Sequence, residues 1–429
     1  MTTQVFSRSL LTIRRATLPV AFCFLLLSLL TCEIAHAEET QAKEISPNIF
    51  VVSDPEVETQ VVLQSAKGLL VFDSFWSARA ARKLKETISE TLGRDDITYV
   101  INMVDRLDMF GGNAAYEEAV IVGHVGLLEK YQHKQSVVDA ELADLIEMWR
   151  WKEGVSRERL PSHEPGSEEE RREKEWLQTC KMRADDLEFD YSLVLPTVFY
   201  TDRMTLNLGD LTLKLIWFGK EGLRDGVTLA VIPERKLAVV TSFILNPNHL
   251  APYPHGIYSE LDVPRWIAVL EEILEGEGAV EQVVCSDVNA ILSRERAHSH
   301  LVYIRKLWDS VKAMEADGKD LPEIQDQLSI EKAFGFVKDM EVYKKNGDEW
   351  LRPQHRDHVK LFFMQHKDLL ASEILSDGGV DGCDTSLARI RQYREEGRDI
   401  FVDEVALNYI GYSWMRQERV TEAIEVFKL

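Results

Sequence analysis

The sequence predicts an α+β fold in which two β-rich segments are flanked by helices. Short runs of β-branched and apolar residues recur between residues 45 and 124 and again between 197 and 285. The stretch of about residues 125–185 is highly charged and is expected to be a helical insertion, and the chain after Ile291 has helical periodicity. We therefore expect two sheets with outer helices, followed by a helical C-terminal tail.

The first β-rich segment has the predicted order strand, strand, strand, helix, strand, strand. Its predicted strands are residues 48–52, 60–63, 68–73, 98–102 and 119–124. The third is an apolar run that ends in Asp73, which is typical of a buried strand. Apolar residues at every fourth position from Ala80 to Leu92 predict a helix, and Gly93 is expected to end it.

The second β-rich segment is predicted to contain a hairpin and a closing strand. Its predicted strands are residues 197–201, 204–209, 211–218, 227–232, 237–241 and 282–285. The turn Pro233–Lys236 joins the fourth and fifth of these strands into a hairpin. A helix is expected at 262–275, and 282–285 is expected to be the last strand before an all-helical remainder.

The loop after the predicted strand 98–102 carries a motif that matches a known pattern at its two ends and differs from it in the centre. Residues Ile101–Asn113 read INMVDRLDMFGGN. This loop resembles the signature loop of the metallo-β-lactamase superfamily, in which His-x-His-x-Asp-His is followed by a small apolar residue and Gly-Gly-Asn. At the three histidine positions this chain has Val104, Arg106 and Met109, and only Asp108 is the family residue.

The resemblance implies an αββα sandwich over residues 38–290 and further ligand positions beyond the loop. By the family pattern, Leu223 replaces a histidine, Ser242 replaces a bridging aspartate and Asp287 replaces the last histidine. The resemblance also implies that Asp73 is the strand-end aspartate that orients a metal ligand in active members.

These substitutions predict that the usual zinc is absent. Valine has no lone pair to give a metal, arginine is a permanent cation, and methionine is a soft ligand unsuited to a zinc–water centre. We therefore predict neither a metal nor another cofactor. The vestigial ligand positions are Val104, Arg106, Asp108, Met109, Leu223, Ser242 and Asp287.

Two arrangements remain open for the carboxylates near this loop. Oxygen ligands from Asp105, Asp108, Asp287 and Glu221 would suit Mg²⁺ or Ca²⁺. Arg106 and Arg224 map to the same rim, and a guanidinium paired with Asp108 or Asp287 would remove the need for a metal. We favour the internal ion pair.

The histidines outside the loop are weaker candidates for chemistry. His249 and His255 lie in a Pro-rich loop, residues 246–256, that borders the active-site mouth in the family, but no Gly-x-Ser-x-Gly motif accompanies them. His355 and His358 would share one helix face, as a metal pair would, although packing is the commoner role of such a pair. His298 and His300 form a further pair on a predicted helix.

The N-terminus predicts export from the cytoplasm. Basic residues precede an apolar stretch from Leu18 to Leu30, and Ala35-His36-Ala37 follows, so we expect residues 1–37 to be a signal peptide. The apolar stretch is short for a membrane span. Lipoprotein processing at Cys32 is the less favoured alternative, because Thr31 departs from the usual lipobox.

The net charge argues against one class of partner, and the cysteine content argues against a disulfide framework. The formal net charge of −22 argues against nucleic acid as a partner. The cysteines after residue 37 are Cys180, Cys285 and Cys383, and their odd number and wide spacing do not form a disulfide framework.

The C-terminal part is predicted to be a helical extension, residues 291–400, followed by a partial repeat at 401–429. In the latter, the spacing of Gly411, Trp414, Ala423 and Phe427 resembles one tetratricopeptide hairpin, in which small residues let two helices pack closely. One hairpin cannot bury its apolar face alone. The tail, or else the insertion, is therefore our candidate surface for a protein partner.

The residues together predict a secreted or periplasmic protein that binds or scaffolds and does not catalyse. The alternative is a hydrolase of the same superfamily with a reorganised active site. Its candidate catalytic residues are Asp108, Asp287, His249 and His255.

Overall fold

The computed structural model describes most of the chain after residue 40. The described residues are 41–54, 59–221, 224–251, 261–287, 290–365, 369–370, 383–397, 400–401, 404–416 and 419–428. The predicted signal peptide, Cys32, Leu223 and His255 lie outside them. Within the described part of the chain, no helix is both long and apolar enough to cross a membrane.

Seven strands form the first sheet in the order in which they occur along the chain. They are β1 (Gln41–Ser46), β2 (Ile49–Ser53), β3 (Thr59–Ser65), β4 (Gly68–Phe72), β5 (Ile97–Ile101), β6 (Val120–His124) and β7 (Val198–Tyr200). The pairs from β1 to β4 are antiparallel, and those from β4 to β7 are parallel. The sequence predicted all of these strands except β1, an edge strand of mostly polar residues.

The second sheet contains six strands and includes the predicted hairpin. They are β8 (Arg203–Asn207), β9 (Thr212–Glu221), β10 (Arg224–Ile232), β11 (Leu237–Val240), β12 (Gln282–Cys285) and β13 (Ala290–Ser293). Strands β10 and β11 are antiparallel and pair Ala230 with Val239, so the predicted hairpin is confirmed.

The expectation that residues 282–285 form the last strand was wrong. Strand β13 pairs antiparallel with β12 and brings Ile291 opposite Val284. Only Leu292 of its four residues is buried. A strand this short and this exposed lacks the apolar alternation by which strands are found in a sequence.

Apolar side chains from both sheets form the central layer of the molecule. Strands alternate their side chains between two faces, so each sheet contributes one face to this layer. Leu63, Leu70 and Phe72 come from the first sheet, and Leu215 and Val239 from the second. The resulting stack of sheets with outer helices confirms the predicted αββα architecture.

Helix α1 (Ala78–Leu92) covers the outer face of the first sheet. Its N-terminus is capped by Ser77, whose hydroxyl accepts a hydrogen bond from the Ala80 N–H. Gly93 ends it in the left-handed conformation that favours glycine, with φ of 65°. Ala81 and Ile88 are buried against the sheet.

The charged segment forms the predicted helical insertion. Its helices are α3 (Val125–Tyr131), α4 (Gln135–Arg159) and α5 (Glu168–Phe189), whereas the short helix α2 (Leu107–Phe110) belongs to the motif loop. The Arg183 guanidinium lies between the rings of Trp76 and Trp149, with its Cζ 4.2 and 4.5 Å from their centroids. Arg171 pairs with glutamates of its own helix, as a solvated helix face would.

A layer of helices covers the outer face of the second sheet. It consists of α6 (Val263–Glu275), α7 (Arg294–Ala316), α8 (Leu321–Gln327) and α9 (Glu341–Met364, kinked at Gly347). One apolar cluster runs from Val283 of the sheet through Leu301 to Phe362. The core therefore continues past residue 290 without a break.

The tail has its own small core. Strand β14 (Leu369–Leu370) precedes helix α10 (Cys383–Glu395) and pairs in parallel with β15 (Ile400–Phe401), which follows that helix. Helices α11 (Glu404–Arg416) and α12 (Val420–Phe427) come next. The expectation of helices alone was therefore wrong at this pairing, since two-residue strands leave no periodic signal. Leu387, Leu407 and Trp414 are buried together.

Candidate functional site

Asp73 follows β4 directly and lies buried where the motif loop begins. Its N–H donates to the Ile101 carbonyl oxygen, and its Oδ1 accepts the Met103 N–H at 2.8 Å. Its Oδ2 is buried with no hydrogen-bond partner among the described residues. Burial raises the pKa of Asp73 well above its usual value, and the nearby charges of Asp287 and Asp108 raise it further.

The Gly-Gly-Asn end of the motif is fixed by close backbone approach. A Cβ on Gly112 would lie 1.9 Å from the Ser74 carbonyl oxygen, so no other residue fits there. The Asn113 amide and the Asn102 amide donate to each other's oxygens at 2.9 and 3.1 Å. The Ser74 hydroxyl also donates to Asn113 Oδ1. These bonds fix the conformation of this end of the loop.

Two of the three loop positions at which the resemblance implies a histidine lie in the apolar interior. Val104 is fully buried in the cluster that covers the second sheet, and Met109 packs against the same cluster. Neither side chain offers a ligand that zinc prefers.

The remaining one of these three loop positions holds a cation, Arg106. Arg106 Nε lies 2.6 Å from Asp108 Oδ1, and Arg106 Nη2 donates to Asp108 Oδ2 at 2.6 Å. The two side chains are 21% and 9% exposed, so the pair is mostly withdrawn from water. The guanidinium also lies over the Phe243 ring, 5.7 Å from its centroid. The structure thus contains the ion pair that we favoured from the sequence.

The insertion supplies three further side chains to the loop. Lys130 Nζ donates to the Asp105 carbonyl oxygen at 2.9 Å, and Tyr131 Oη lies 3.0 Å from the same oxygen. Glu141 accepts bonds from Tyr131 Oη at 2.7 Å and from the Leu107 N–H at 3.2 Å. Sequence reasoning missed these residues, because no local pattern marks a contact between positions 34 residues apart.

The opposite side of the site is built from the ends of β11 and β12. Asp287 Oδ1 accepts the Ser242 N–H at 2.6 Å, and its Oδ2 accepts the Ser242 hydroxyl at 2.5 Å. Burial raises the pKa of Asp287, while these bonds and the charge of Arg106 oppose that rise. We call Asp73, the loop 102–113, Ser242 and Asp287 the mouth of the sandwich.

The mouth does not fit the superfamily's zinc ions. Val104, Arg106 and Met109 offer no imidazole nitrogen to bind zinc. The Arg106 guanidinium already neutralises Asp108. The oxygen-ligated alternative gains no support either. Within the described residues, no three His, Cys, Asp or Glu side chains are arranged to hold a metal ion. The side chains of Glu221 and Arg224 lie outside the described part.

The described histidines of the sequence analysis lie in or against the helical layer that covers the second sheet. His249 is buried beside Trp350 of α9, with their rings 6.3 Å apart, and burial lowers the pKa of His249 to about 4. His298 lies at the surface, and its Nε2 contacts Glu275. His300, His355 and His358 are buried in the helical layer.

The chain matches no protein-family model and no curated protein sequence. Its fold is nevertheless found among solved structures. The stereoselective inverting sec-alkylsulfatase Pisa1 from Pseudomonas sp. superposes with a TM-score of 0.52 at 14% identity. A double mutant of the same enzyme gives a TM-score of 0.51, also at 14% identity.

Both alignments cover 90% of this chain and 61% of the sulfatase, so this chain spans less than two thirds of the sulfatase's length. The metallo-β-lactamase from Pontibacter korlensis aligns over 62% of this chain and 99% of its own, at 11% identity and a TM-score of 0.39.

Proposed function

We propose that this chain, which has a metallo-β-lactamase fold, is a secreted member of that fold that binds or scaffolds and does not hydrolyse a substrate with a metal. The ion pair between Arg106 and Asp108 is the observation that carries the proposal. In active relatives the corresponding loop holds the metal that makes a water nucleophilic near neutral pH. Here a protein cation holds the remaining aspartate.

The geometry around this pair supports the same conclusion. Zinc at the mouth would require imidazoles where Val104 and Met109 now contribute to the core. It would also have to compete with a guanidinium that contacts both oxygens of Asp108. Val104 and Met109 pack in the core, and Arg106 pairs with Asp108. These contacts favour a structural role for the loop over a catalytic one.

Binding is proposed to use the surfaces of the insertion or of the tail. Among the described side chains of α11 and α12, five large apolar ones are exposed: Tyr412, Met415, Val420, Ile424 and Phe427. The acidic net charge of −22 favours a protein partner over nucleic acid.

A second candidate function is hydrolysis at a reorganised site. The observation in its favour is that burial raises the pKa of two mouth carboxyls, Asp73 and Asp287, a property of many acid–base catalysts. The solved sec-alkylsulfatase makes sulfate esters the first substrates to try.

Elemental analysis and hydrolysis assays of the purified protein test both candidates. We expect zinc well below one equivalent per chain, no loss of thermal stability with a chelator, and no turnover of alkyl sulfates or β-lactams. One tightly held equivalent of zinc, with unfolding on chelation, would contradict the first proposal. Turnover that is lost in Asp287→Asn and kept in the surface control Asp139→Asn would establish the second.

A further inference from the structure

The helical layer contains a cluster of buried histidines that the mouth does not use. Tyr303 of α7 contacts two of them through its hydroxyl, with Oη 2.9 Å from His355 Nδ1 and 3.1 Å from His358 Nδ1, both on α9. His355 Nε2 lies 2.7 Å from the carbonyl oxygen of Leu328, just after α8. The histidines of this cluster are each less than 10% exposed: His249, His300, His355 and His358.

The hydrogen-bond partners of Tyr303, His355 and His358 fix which of their atoms carry a proton. The Leu328 carbonyl can only accept, so His355 Nε2 carries a hydrogen and donates it. In the neutral ring His355 Nδ1 is then an acceptor, and it takes the single hydroxyl proton of Tyr303. The Tyr303 oxygen must therefore accept from His358, so the His358 Nδ1 carries a hydrogen.

A charged His355 would break this arrangement. A proton on its Nδ1 would displace the Tyr303 proton from its acceptor and leave the buried Tyr303 O–H without a group to donate to, which is costly. It would also place a cation in the core, where the Phe334 ring lies 4.8 Å from that of His355.

We propose that Tyr303, His355 and His358 form an acid-sensitive latch that joins α7 to α9 while His355 is neutral and releases them when it takes up a proton.

The groups around the latch favour its neutral form. On α7, His300 donates from Nδ1 to the Leu250 carbonyl oxygen, and Arg296 lies on the same helix. From the loop before α6, His249 faces His358. Burial lowers the pKa of His249 and of His300 to about 4.

One charge near the latch acts in the opposite direction. After α8, Glu331 raises the pKa of His355, although burial lowers it more. Glu331 is itself paired with Arg352 of α9. Burial therefore outweighs the charge of Glu331, and the pKa of His355 is lowered from its usual value.

The direction of the pH effect follows from these lowered pKa values. Unfolded histidines titrate near pH 6.5, so below that pH the unfolded chain holds more protons than the folded one. Stability is complete above about pH 6.5 and falls as the pH falls. Each latched histidine raises the unfolding constant by up to about tenfold per pH unit in that range.

Nuclear magnetic resonance of the full chain labelled with ¹⁵N-histidine tests the proton assignment directly and needs no variant. We expect His355 as the Nε2–H tautomer and the His358 Nδ1 protonated at pH 7. Finding both nitrogens of His355 protonated at pH 6 would overturn the latch. So would finding its proton on Nδ1.

Substitutions test whether protonation of His355 destabilises the contact between α7 and α9. His355→Gln keeps a donor toward Leu328 and removes the titrating ring, so its unfolding constant should depend less steeply on pH below 6.5, by up to one proton. His298→Gln, at a surface histidine, is the matched control and should keep the wild-type slope. Equal slopes in all three proteins would refute the proposal.

If His355→Gln does not fold, hydrogen exchange of the unmodified chain gives the same answer. Amides of α9, corrected for intrinsic rates, should lose protection between pH 7 and pH 5 more than those of α1. Equal losses in both helices would mean that the cluster is packing only.

Discussion

The guanidinium of Arg106 contacts both carboxylate oxygens of Asp108, two residues further along the motif loop. This contact neutralises Asp108 with a fixed protein charge. The pair is mostly buried, so removing one partner leaves the other charge exposed to a poorly solvating interior.

Arg106→Ala is therefore expected to destabilise the protein by on the order of 3 kcal/mol. The matched control is Arg172→Ala, which breaks an exposed pair with Glu168 and should cost less than about 1 kcal/mol. Denaturant unfolding measures both. If Arg106→Ala is as stable as the wild type, the side chain lies in solvent and the proposal that it replaces the metal fails.

Gly112→Ala is expected to be among the most damaging single-methyl changes in this chain. The new Cβ would lie 1.9 Å from the Ser74 carbonyl oxygen, so the loop must move, at about 3 kcal/mol or more. Gly154→Ala, in the middle of α4 with no atom within 4 Å of its Cβ, should instead stabilise by about 0.5–1 kcal/mol. Thermal unfolding should place the two variants on opposite sides of the wild type.

Asp73→Asn is expected to stabilise the protein at pH 7. Asparagine keeps the oxygen that accepts the Met103 N–H and removes a buried charge. The pKa of Asp73 is raised in the folded state, so its ionisation opposes folding above the unfolded value near 3.9, and the penalty fades as the pH falls toward that value.

The gain from Asp73→Asn should therefore be largest near neutral pH, on the order of 1 kcal/mol or more, and should shrink in acid. Unfolding curves from pH 4 to pH 8 measure it. A gain that does not change with pH would show that the carboxyl is not the cause.

Polar substitutions on the exposed face of the tail are expected to reduce association without reducing stability. Tyr412→Ser and Ile424→Ser change exposed side chains, whereas deleting residues 401–429 would also uncover Leu387 of α10. Sedimentation and pull-down with the full chain test this. If both variants associate as the wild type does, the tail is structural and attention returns to the insertion.

The sequence was sufficient for features that depend on local pattern. Apolar runs predicted most strands of both sheets, and apolar residues at every fourth position predicted helix α1. Arg106 and Asp108 could be paired in advance because they are two positions apart in one loop. Strands β1 and β13 were missed because edge strands bury too few side chains to leave a pattern.

Contacts between distant segments could not be read from one sequence. Glu141 reaches the Leu107 N–H across 34 residues, and Tyr303 reaches His355 across 52. The spacing of His355 and His358 indicated only a shared helix face. Their role became visible once α7 placed a hydroxyl between them.

Lys130, Tyr131 and Glu141 link the motif loop to the insertion by hydrogen bonds that form whenever the chain folds. A loop ordered by a metal takes its shape only when that ion is available. A loop ordered by its own polypeptide is insensitive to the trace-metal supply of its surroundings. Histidines placed at Val104, Arg106 and Met109 would therefore enter a loop whose conformation the insertion already holds.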